Sequence, residues 1–200
     1  FNVCRCQFPG EWVINKADSW RVSGDISAHF SSILSIIDLN AGLYKYASAG
    51  HYNDMDMLQV GRGMTYEEDK THFSMWCMMN SPLLAGNDLR NMSKETIEIL
   101  TNKELIALNQ DKGFHQAIRI FSENNVEIWS KSLGKNGKSK AIAIMNRGEN
   151  AVDFQLTPEL IHVNKNSRLR DLWQHKDLGK MGSGKVFQIP AHGIIVLKMK

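Results

Sequence analysis
The order of apolar and polar positions divides this chain into two kinds of text. Up to about residue 115, strand-like and helix-like segments alternate. "FNVCRC" reads as a strand, and "WRVSGDI" as a strand end and loop. "HFSSILSIIDLNAGLYKYA" then places Phe30, Ile33, Leu34, Ile37 and Leu43 near helical spacing. "HYNDMDMLQV" follows as a strand. "TYEEDKTHFSMWCMMN" opens a helix with Thr65 and Glu68 at capping-box spacing, where each side chain satisfies a free backbone donor. "SPLLAGND" is a short apolar run suited to a buried strand. "SKETIEILTNKELIALNQD" offers Ser93 as N-cap and Ile97, Leu100, Leu105 and Leu108 as a core face. Four strand-then-helix units result, although the first helix is hard to see in "PGEWVINKADS". Such alternation predicts a parallel sheet, open or closed. Polar residues cluster after the strands, at the ends that carry function in α/β barrels and open sheets.

From Ala117 onward strands come without long helices: "AIRIFSE", "VEIWSKSL", "KAIAIMNR", "AVDFQL", "RLRDLW", "KVFQIP" and "GIIVLKMK". Turn signals separate them, such as Glu123-Asn124-Asn125 and Gly134-Lys135-Asn136-Gly137. This pattern fits an antiparallel β-sandwich. The expected division is therefore 1–114, an α/β unit, and 115–200, an all-β unit.

Composition narrows the field. Hydrophobic residues are 42% and charged residues 22% of the chain, which fits a folded globular protein. The net charge of +3 comes with scattered lysines, so a nucleic-acid partner is not expected. No run approaches the roughly 20 apolar residues of a membrane helix. The opening "FNVCRCQFPGEWV" lacks a basic region followed by an apolar core, so no signal peptide is expected. It also lacks an initiator Met and starts on strand-like residues, which reads as a chain cut from a longer one. The three cysteines, Cys4, Cys6 and Cys77, have no regular spacing and form no disulfide framework. "CRC" is not CxxC and has no second pair to complete a zinc site.

Several motifs compete for chemistry. "SLGKNGKS" ends like a phosphate-binding loop, but it starts with Ser132 and joins two strands, so it reads as a hairpin turn. "GRG" at 61–63 lacks the third glycine of a dinucleotide fingerprint. Asn91-Met92-Ser93 is a glycosylation sequon by pattern, and Ser93 already serves as a helix cap. Asp54 and Asp56 stand one residue apart, and in a strand they would point the same way. A metal site, a sugar-cleaving site and a solvated edge all remain open for them. Hard cations want several oxygen ligands, whereas the neighbours here are Met55, Met57 and Leu58. Asp25, four residues after Arg21, is either a helix cap, an ion-pair partner or a functional acid. Trp12, Trp20 and Tyr52 fall near the polar strand ends, where aromatics, acids and an arginine would suit a sugar. Trp76, inside a helix, reads as core.

"SWRVSGDI", "GHYNDMDMLQVGRGMTYEEDKTHFSMW", "SPLLAGNDLR" and "IALNQD" together resemble the α-galactosidases of glycoside hydrolase family 27. That family's usual forms are WRxxxDI, G-x-x-NDPDML-x-x-G, AP-L-x-x-ND and a-x-NQD. The resemblance runs from about Phe1 to Asp111, and residues after 115 match more loosely. It implies a (β/α)8 barrel followed by an antiparallel β-sandwich, with residues 1–114 as barrel strands 5 to 8. It implies retaining cleavage of terminal α-galactosides, with a nucleophile and an acid/base about 5 Å apart. Asp25 matches the acid/base, and Arg21 the arginine that contacts the sugar near it. Asp56 and Met57 match residues lining the sugar pocket, and Asp54 matches an acid that fixes the loop. No cofactor or metal is implied. An extracytoplasmic place, secreted or periplasmic, is what the resemblance favours.

Two departures stand out. The family's nucleophile lies in a K-x-D-[YG]-C pattern. Lys16-Ala17-Asp18 has its first spacing but runs on into Ser-Trp, so the nucleophile is expected outside this chain. Many members read C-x-W on strand 5, facing the sugar's 2-substituent. Cys4-Arg5-Cys6 keeps the first residue only, so an α-N-acetylgalactosaminidase is an alternative. A non-catalytic sugar-binding or scaffold module is another. A half barrel exposes an apolar inner face and two sheet edges, so self-association or pairing with a missing N-terminal half is expected.

Overall fold
The computed structural model describes residues 10–13 and 16–200. A short turn of helix, α1 (Gly10–Val13), precedes β1 (Ser19–Arg21). Next come α2 (Phe30–Asn40), a 3₁₀ turn (Leu43–Tyr46), and β2 (Tyr52–Asp54). β1 and β2 are parallel, with Trp20 opposite Asn53 and Arg21 opposite Asp54. They form a βαβ unit, the connection that parallel strands require. The helix α2 follows from its spacing: Phe30, Ile33, Ile36 and Ile37 turn one face inward.

The expected strand "HYNDMDMLQV" is much shorter than its apolar pattern. It ends at Asp54, and Asp56 takes a positive φ of 78°. Asp54 and Asp56 therefore do not share a strand face. The chain turns there and returns to pair Leu58 with Ala85 in a parallel bridge. The run "SPLLAGND" contributes this contact alone to a sheet, with Leu58 N–H on Leu84 O and Gly86 N–H on Leu58 O. Gly86 is required there: a Cβ would stand 2.6 Å from Leu58 O. "FNVCRC" lies outside the described residues.

α3 (Tyr66–Met78) begins with the capping box that the sequence announces. Thr65 Oγ1 accepts from Glu68 N–H, and Glu68 Oε2 accepts from Thr65 N–H. The helix is buried on nearly every side, which its mixed pattern hides. Trp76 belongs to the core, as its helical position implies. The last helical segment differs from expectation. It breaks into α4 (Lys94–Leu100), capped by Ser93, and α5 (Lys103–Asn109). Asn102 causes the break: its Oδ1 accepts from Glu104 N–H and Leu105 N–H and starts a new helix. The interruption resets the inward face. Ile97 is consequently exposed at 43%, and Ile99 takes the core position.

The rest is all-β. The strands are β3 (Ile118–Glu123), β4 (Val126–Leu133), β5 (Ser139–Asn146), β6 (Val152–Leu156), β7 (Arg168–Asp171), β8 (Lys176–Lys180), β9 (Lys185–Ile189) and β10 (Ile194–Met199). Six make one antiparallel sheet in the order β3-β4-β5-β10-β7-β8, and β6 pairs with β9 in a second. The seven runs read from the pattern all become strands. β8 is the addition: "KDLGK" is polar, lies at a sheet edge, and carries Gly179 at φ 74° beside a bulge. "SLGKNGKS" is the β4–β5 hairpin connection, with Gly134 and Gly137 at positive φ.

The six-stranded sheet buries both faces. In β5, Ala141, Ala143 and Met145 point to the helices, while Ile142 and Ile144 point to the β6–β9 pair. β10 divides likewise, with Ile194 and Val196 on one side and Leu197 and Met199 on the other. This alternation explains the nearly continuous apolar text of "AIAIM" and "IIVL". Lys131 of β4 is fully buried beneath α3. Its ammonium donates to Met78 O, His115 O and Asn80 Oδ1. Burial pushes its pKa down to about 7, against the pull of Cys77 and Asp111. No helix of the described residues is long and apolar enough to cross a membrane.

His72, buried on α3, accepts Gln59 N–H at its Nε2, so Nδ1 carries the proton. Burial alone drops its pKa from 6.5 to about 3. Between those values the unfolded imidazole is charged and the folded one is not. The unfolded state binds more protons there, so stability rises with pH across that window. Asp69 works in the opposite sense. Burial lifts its carboxyl from 3.8 to about 6, so in that range the folded state holds the extra proton. The two contributions oppose each other between about pH 4 and 6; in urea midpoints measured from pH 3 to 7, His72→Gln, which removes the first and leaves the second, should lower the midpoint at pH 7 and lose less on acidification than the parent protein. An unchanged slope in the variant would remove His72 as the cause.

Candidate functional site
Four of the residues singled out in the sequence meet at the ends of β1 and β2. β1 ends on Arg21 and β2 on Asp54, and the turns that follow them face each other. Arg21 Nη2 lies 2.5 Å from Asp56 Oδ2 and 3.4 Å from Asp25 Oδ1. The same nitrogen donates to Gly24 O, which bends the 21–25 segment back on itself. Asp25 remains 92% exposed in its side chain, against 10% for Asp56. The two acids thus differ in kind: Asp56 is built into the wall, and Asp25 is held out toward solvent.

Asp56 is fixed from every side. Its N–H donates to Asp54 Oδ1, an Asx-type turn bond. Its Oδ1 accepts Met57 N–H, and its Oδ2 accepts Ile26 N–H in addition to Arg21. Its carbonyl accepts the Trp76 indole N–H at 2.8 Å. These bonds hold a non-glycine residue at φ 78°, a conformation that otherwise costs energy. They also bear on the metal reading of the paired acids. Both oxygens of Asp56 and one of Asp54 already receive protein donors, and a cation would have to displace them. Among the described residues no group of three or more His, Cys, Asp or Glu is placed to hold a metal ion.

The acids and the arginine line a cleft of about 540 Å³, together with Ile26, Met57, Gln59 and Arg62. Met57 is 41% exposed there. Gln59 and Arg62 escaped the sequence reading, although both follow the acids on the same turn. A signal existed for Gln59: it is a polar residue inside an apolar run, and His72 anchors its backbone. The aromatic expectation is corrected. Trp12, Trp20 and Tyr52 do not line this cleft. Trp20 is buried instead, its indole donating to Asn53 Oδ1, because mid-strand side chains point into the layer between strand and helix. Asn53 passes the connection on to Leu43 O and to the Gln116 side chain. Cys4 lies outside the described residues.

Comparison with known proteins gives the chain its family. A family model described as alpha galactosidase A matches residues 7–111. A second, the alpha galactosidase C-terminal beta sandwich domain, matches residues 123–199. Alpha-galactosidase A of Cellvibrio japonicus is 40% identical over all of this chain and 55% of its own length. Alpha-galactosidase 2 of Arabidopsis thaliana is 40% identical over 88% of this chain and 45% of its own. The crystal structure of alpha-galactosidase I from Mortierella vinacea superposes on 96% of this chain and 55% of that one, with a TM-score of 0.90 and 31% identity. A family 27 β-L-arabinopyranosidase from Geobacillus stearothermophilus, at 22% identity and TM-score 0.88, shares the fold. The chain spans about half the length of the curated relatives it matches. It belongs to the α-galactosidase family, glycoside hydrolase family 27, as the latter part of a (β/α)8 barrel followed by an antiparallel β-sandwich.

Proposed function
We propose that this chain is the acid/base-bearing part of a retaining α-galactosidase, with 1–114 completing its barrel and 115–200 its sandwich. The observation that carries this reading is the convergence of Arg21, Asp25, Asp56 and Met57 on one cleft, from turns about 30 residues apart. The identity with α-galactosidases supports it. Asp25 is the general acid/base. Its proton goes to the glycosidic oxygen as that oxygen leaves the anomeric carbon. A nucleophilic carboxylate from outside these 200 residues takes the carbon's bond. Asp25, now a carboxylate, then removes a proton from the water that releases the sugar. Exposure suits it to both exchanges. Arg21, pinned by Asp56, positions Asp25 and offers donors to the sugar. Asp56 and Met57 form the sugar wall, polar and apolar by turns. The departure at Cys4-Arg5-Cys6 makes an N-acetylgalactosaminide the second substrate to assay.

The acid/base role predicts a split between substrates. In the full-length enzyme, Asp25→Asn should slow the first step on alkyl or sugar leaving groups by about 10²–10⁴-fold, the usual worth of a positioned acid. Nitrophenyl galactosides, whose leaving oxygen needs no proton, should keep a fast burst of phenolate followed by slow release. Equal losses on both would make Asp25 a structural acid.

The carboxylate mechanism needs no metal. Activity after dialysis against a chelator should equal that of the untreated enzyme, and a loss restored by Ca²⁺ or Mn²⁺ would revive a metal role for Asp54 and Asp56.

Pairing belongs to the same proposal. A half barrel of strands 5 to 8 leaves its first and last strands each without a barrel neighbour, so a second barrel segment can add at those edges. Light scattering on the 200-residue chain should show a mass that rises with concentration. A monomer at every concentration would overturn the pairing.

A further inference from the structure
The lysines that look scattered in the sequence are gathered by the fold. Residues 115–200 hold fourteen Lys and Arg against seven Asp and Glu, whereas residues 1–114 hold ten against fourteen. The sandwich arginines that meet the α/β unit are paired: Arg119 and Arg147 with Asp38 and Glu127, and Arg170 with Glu104 and Asp177. A different set stands at one end of the sandwich. The β4–β5, β6–β7 and β8–β9 connections and the end of β10 come together there, because the strands alternate in direction. Lys140 Nζ donates to Ile161 O and His162 O, and Gly182 N–H to Lys165 O, which ties the connections to one another. Lys135, Lys138, Lys165, Arg168, Lys180 and Lys200 are all exposed at this end. Its acids are Glu159 and Asp111, and Asp111 Oδ1 is engaged by the Gly113 and Gly134 amides.

Three of these cations stand side by side across strands. Arg168 of β7 is opposite Lys180 of β8. On its other side Arg168 N–H donates to Lys200 O and Lys200 N–H to Arg168 O, the exchange made by directly opposed residues. Like charges placed directly opposite each other destabilise a sheet. Among the described residues none of the three has a carboxylate partner to offset that repulsion. An anionic chain laid across the row would turn the repulsion into attraction. Neighbouring strands lie about 4.8 Å apart, close to the length of one pyranose unit, so the row offers such a chain one cation per sugar.

We propose that this end of the sandwich binds a polyanionic polysaccharide, whose carboxylates or sulfate esters meet Lys180, Arg168 and Lys200 in turn. The β6–β7 connection adds neutral groups for sugar hydroxyls. It forms a shallow depression of about 700 Å³ lined by Asn164 and Asn166 beside Glu159, His162 and Lys165. Lys180 Nζ reaches the Asn166 amide oxygen, so the row and the depression are continuous. The three connections contain no phenylalanine, tyrosine or tryptophan, and Ile161 and Met181 turn into the core. Single-stranded nucleic acids want stacking rings, and a lipid surface wants an apolar face to bury. The choice of a carbohydrate among polyanions rests on the glycosidase reading: the sandwich holds the enzyme on an acidic polymer whose galactosyl branches enter the cleft of Asp25.

Two double variants of the full-length enzyme, equal in charge, test this. Arg168→Gln with Lys180→Gln alters the row. Lys103→Gln with Lys176→Gln alters exposed lysines away from it, at the start of α5 and the β7–β8 turn. The probes are polygalacturonate, dextran sulfate and neutral dextran, with binding read by calorimetry. At about 10 mM salt, where charges act over roughly 30 Å, the parent should bind an anionic polymer and ignore dextran. Salt of about 1 M, which screens beyond roughly 3 Å, should abolish that binding. The row variant should bind about tenfold more weakly, the loss of two exposed charge pairs, and the control variant within about twofold of the parent. Both should cleave a nitrophenyl galactoside as the parent does. Binding of polygalacturonate assigns the anion as a uronate, and binding of dextran sulfate alone assigns it as a sulfate ester; either supports the surface. Equal losses in the two variants, or a parent that binds neither polymer, would overturn it. So would tighter binding to a DNA duplex or to phosphatidylglycerol vesicles, which would make the partner a different macromolecule. An enzyme inactive on galactosides that still binds through the row contradicts the catalytic reading alone. An active enzyme that does not bind contradicts the surface alone.

Discussion
The turn at Asp56 is the constraint on which the site depends. One carboxylate receives the amide of Ile26 after β1, the amide of Met57 beside it, and the guanidinium of Arg21. The same residue's carbonyl takes the Trp76 indole from α3. Two strand ends and a core helix are thereby joined through three oxygens of one residue. Arg21 and Asp56 are both largely buried, and removing one partner of such a pair costs roughly 3–5 kcal/mol. That cost makes the pair a register device. It fixes where the 21–26 segment lies against the 54–57 turn, and so where Asp25 stands. The strained φ at Asp56 persists because these bonds over-determine it.

Behind the turn stands a column of buried groups that reaches the sandwich. His72 packs edge-on to Trp76 with ring centroids 4.0 Å apart, and Trp76 holds the turn. α3 ends over Lys131 of β4, whose ammonium meets the Met78 carbonyl. The cation favours a helix C-terminus, where carbonyls lack partners. A second tie runs from α2. Asp38 and Glu127 share Arg119 and Arg147, and the bond from Arg147 holds the Asp38 carboxyl below its usual range. A third is the Asn102 side chain, which caps α5 and donates to Leu172 O. The six-stranded sheet therefore serves the α/β unit as a floor. Its helix-facing side supplies Trp129, Ala143 and Val196 to the same core as Ile33 and Trp76.

Much of this was legible in the text of the chain. Period-two patterns located the seven strands after residue 117, and the capping signals at Thr65 and Ser93 set two helix starts. Motif order placed Arg21, Asp25, Asp56 and Met57 before geometry brought them together. The misses share a cause: each lies where a tertiary bond overrides a local pattern. The apolar run around Asp54 reads as one long strand, yet side-chain bonds to backbone break it at Asp56. Asn102 reads as a helix-interior residue until its side chain is seen to cap a new helix. β8 has no apolar alternation to show, because an exposed edge needs none. Trp20 reads as a sugar platform because sequence gives its place on the strand and not its partner, Asn53.

Arg62 shows what position alone could not reveal. In the sequence it sits in a short glycine-flanked turn with no motif to recommend it. Gly61 takes φ 75° with its Cα close enough to Thr96 that a Cβ would meet Oγ1 at 2.6 Å. That close approach seats the turn directly against α4, and the carboxylate of Asp69 receives the Gly61 amide from below. With no room beneath it, the chain carries the Arg62 side chain across the gap to Gly86, another glycine forced by contact with Leu58 O. Two close packings, each admitting only glycine, thus place a single charged side chain on the boundary between the cleft of Asp25 and a groove that runs onto α4. The property that sequence reading discounts as an incomplete nucleotide-binding pattern is, in the fold, the device that divides the surface around Asp25 into two compartments.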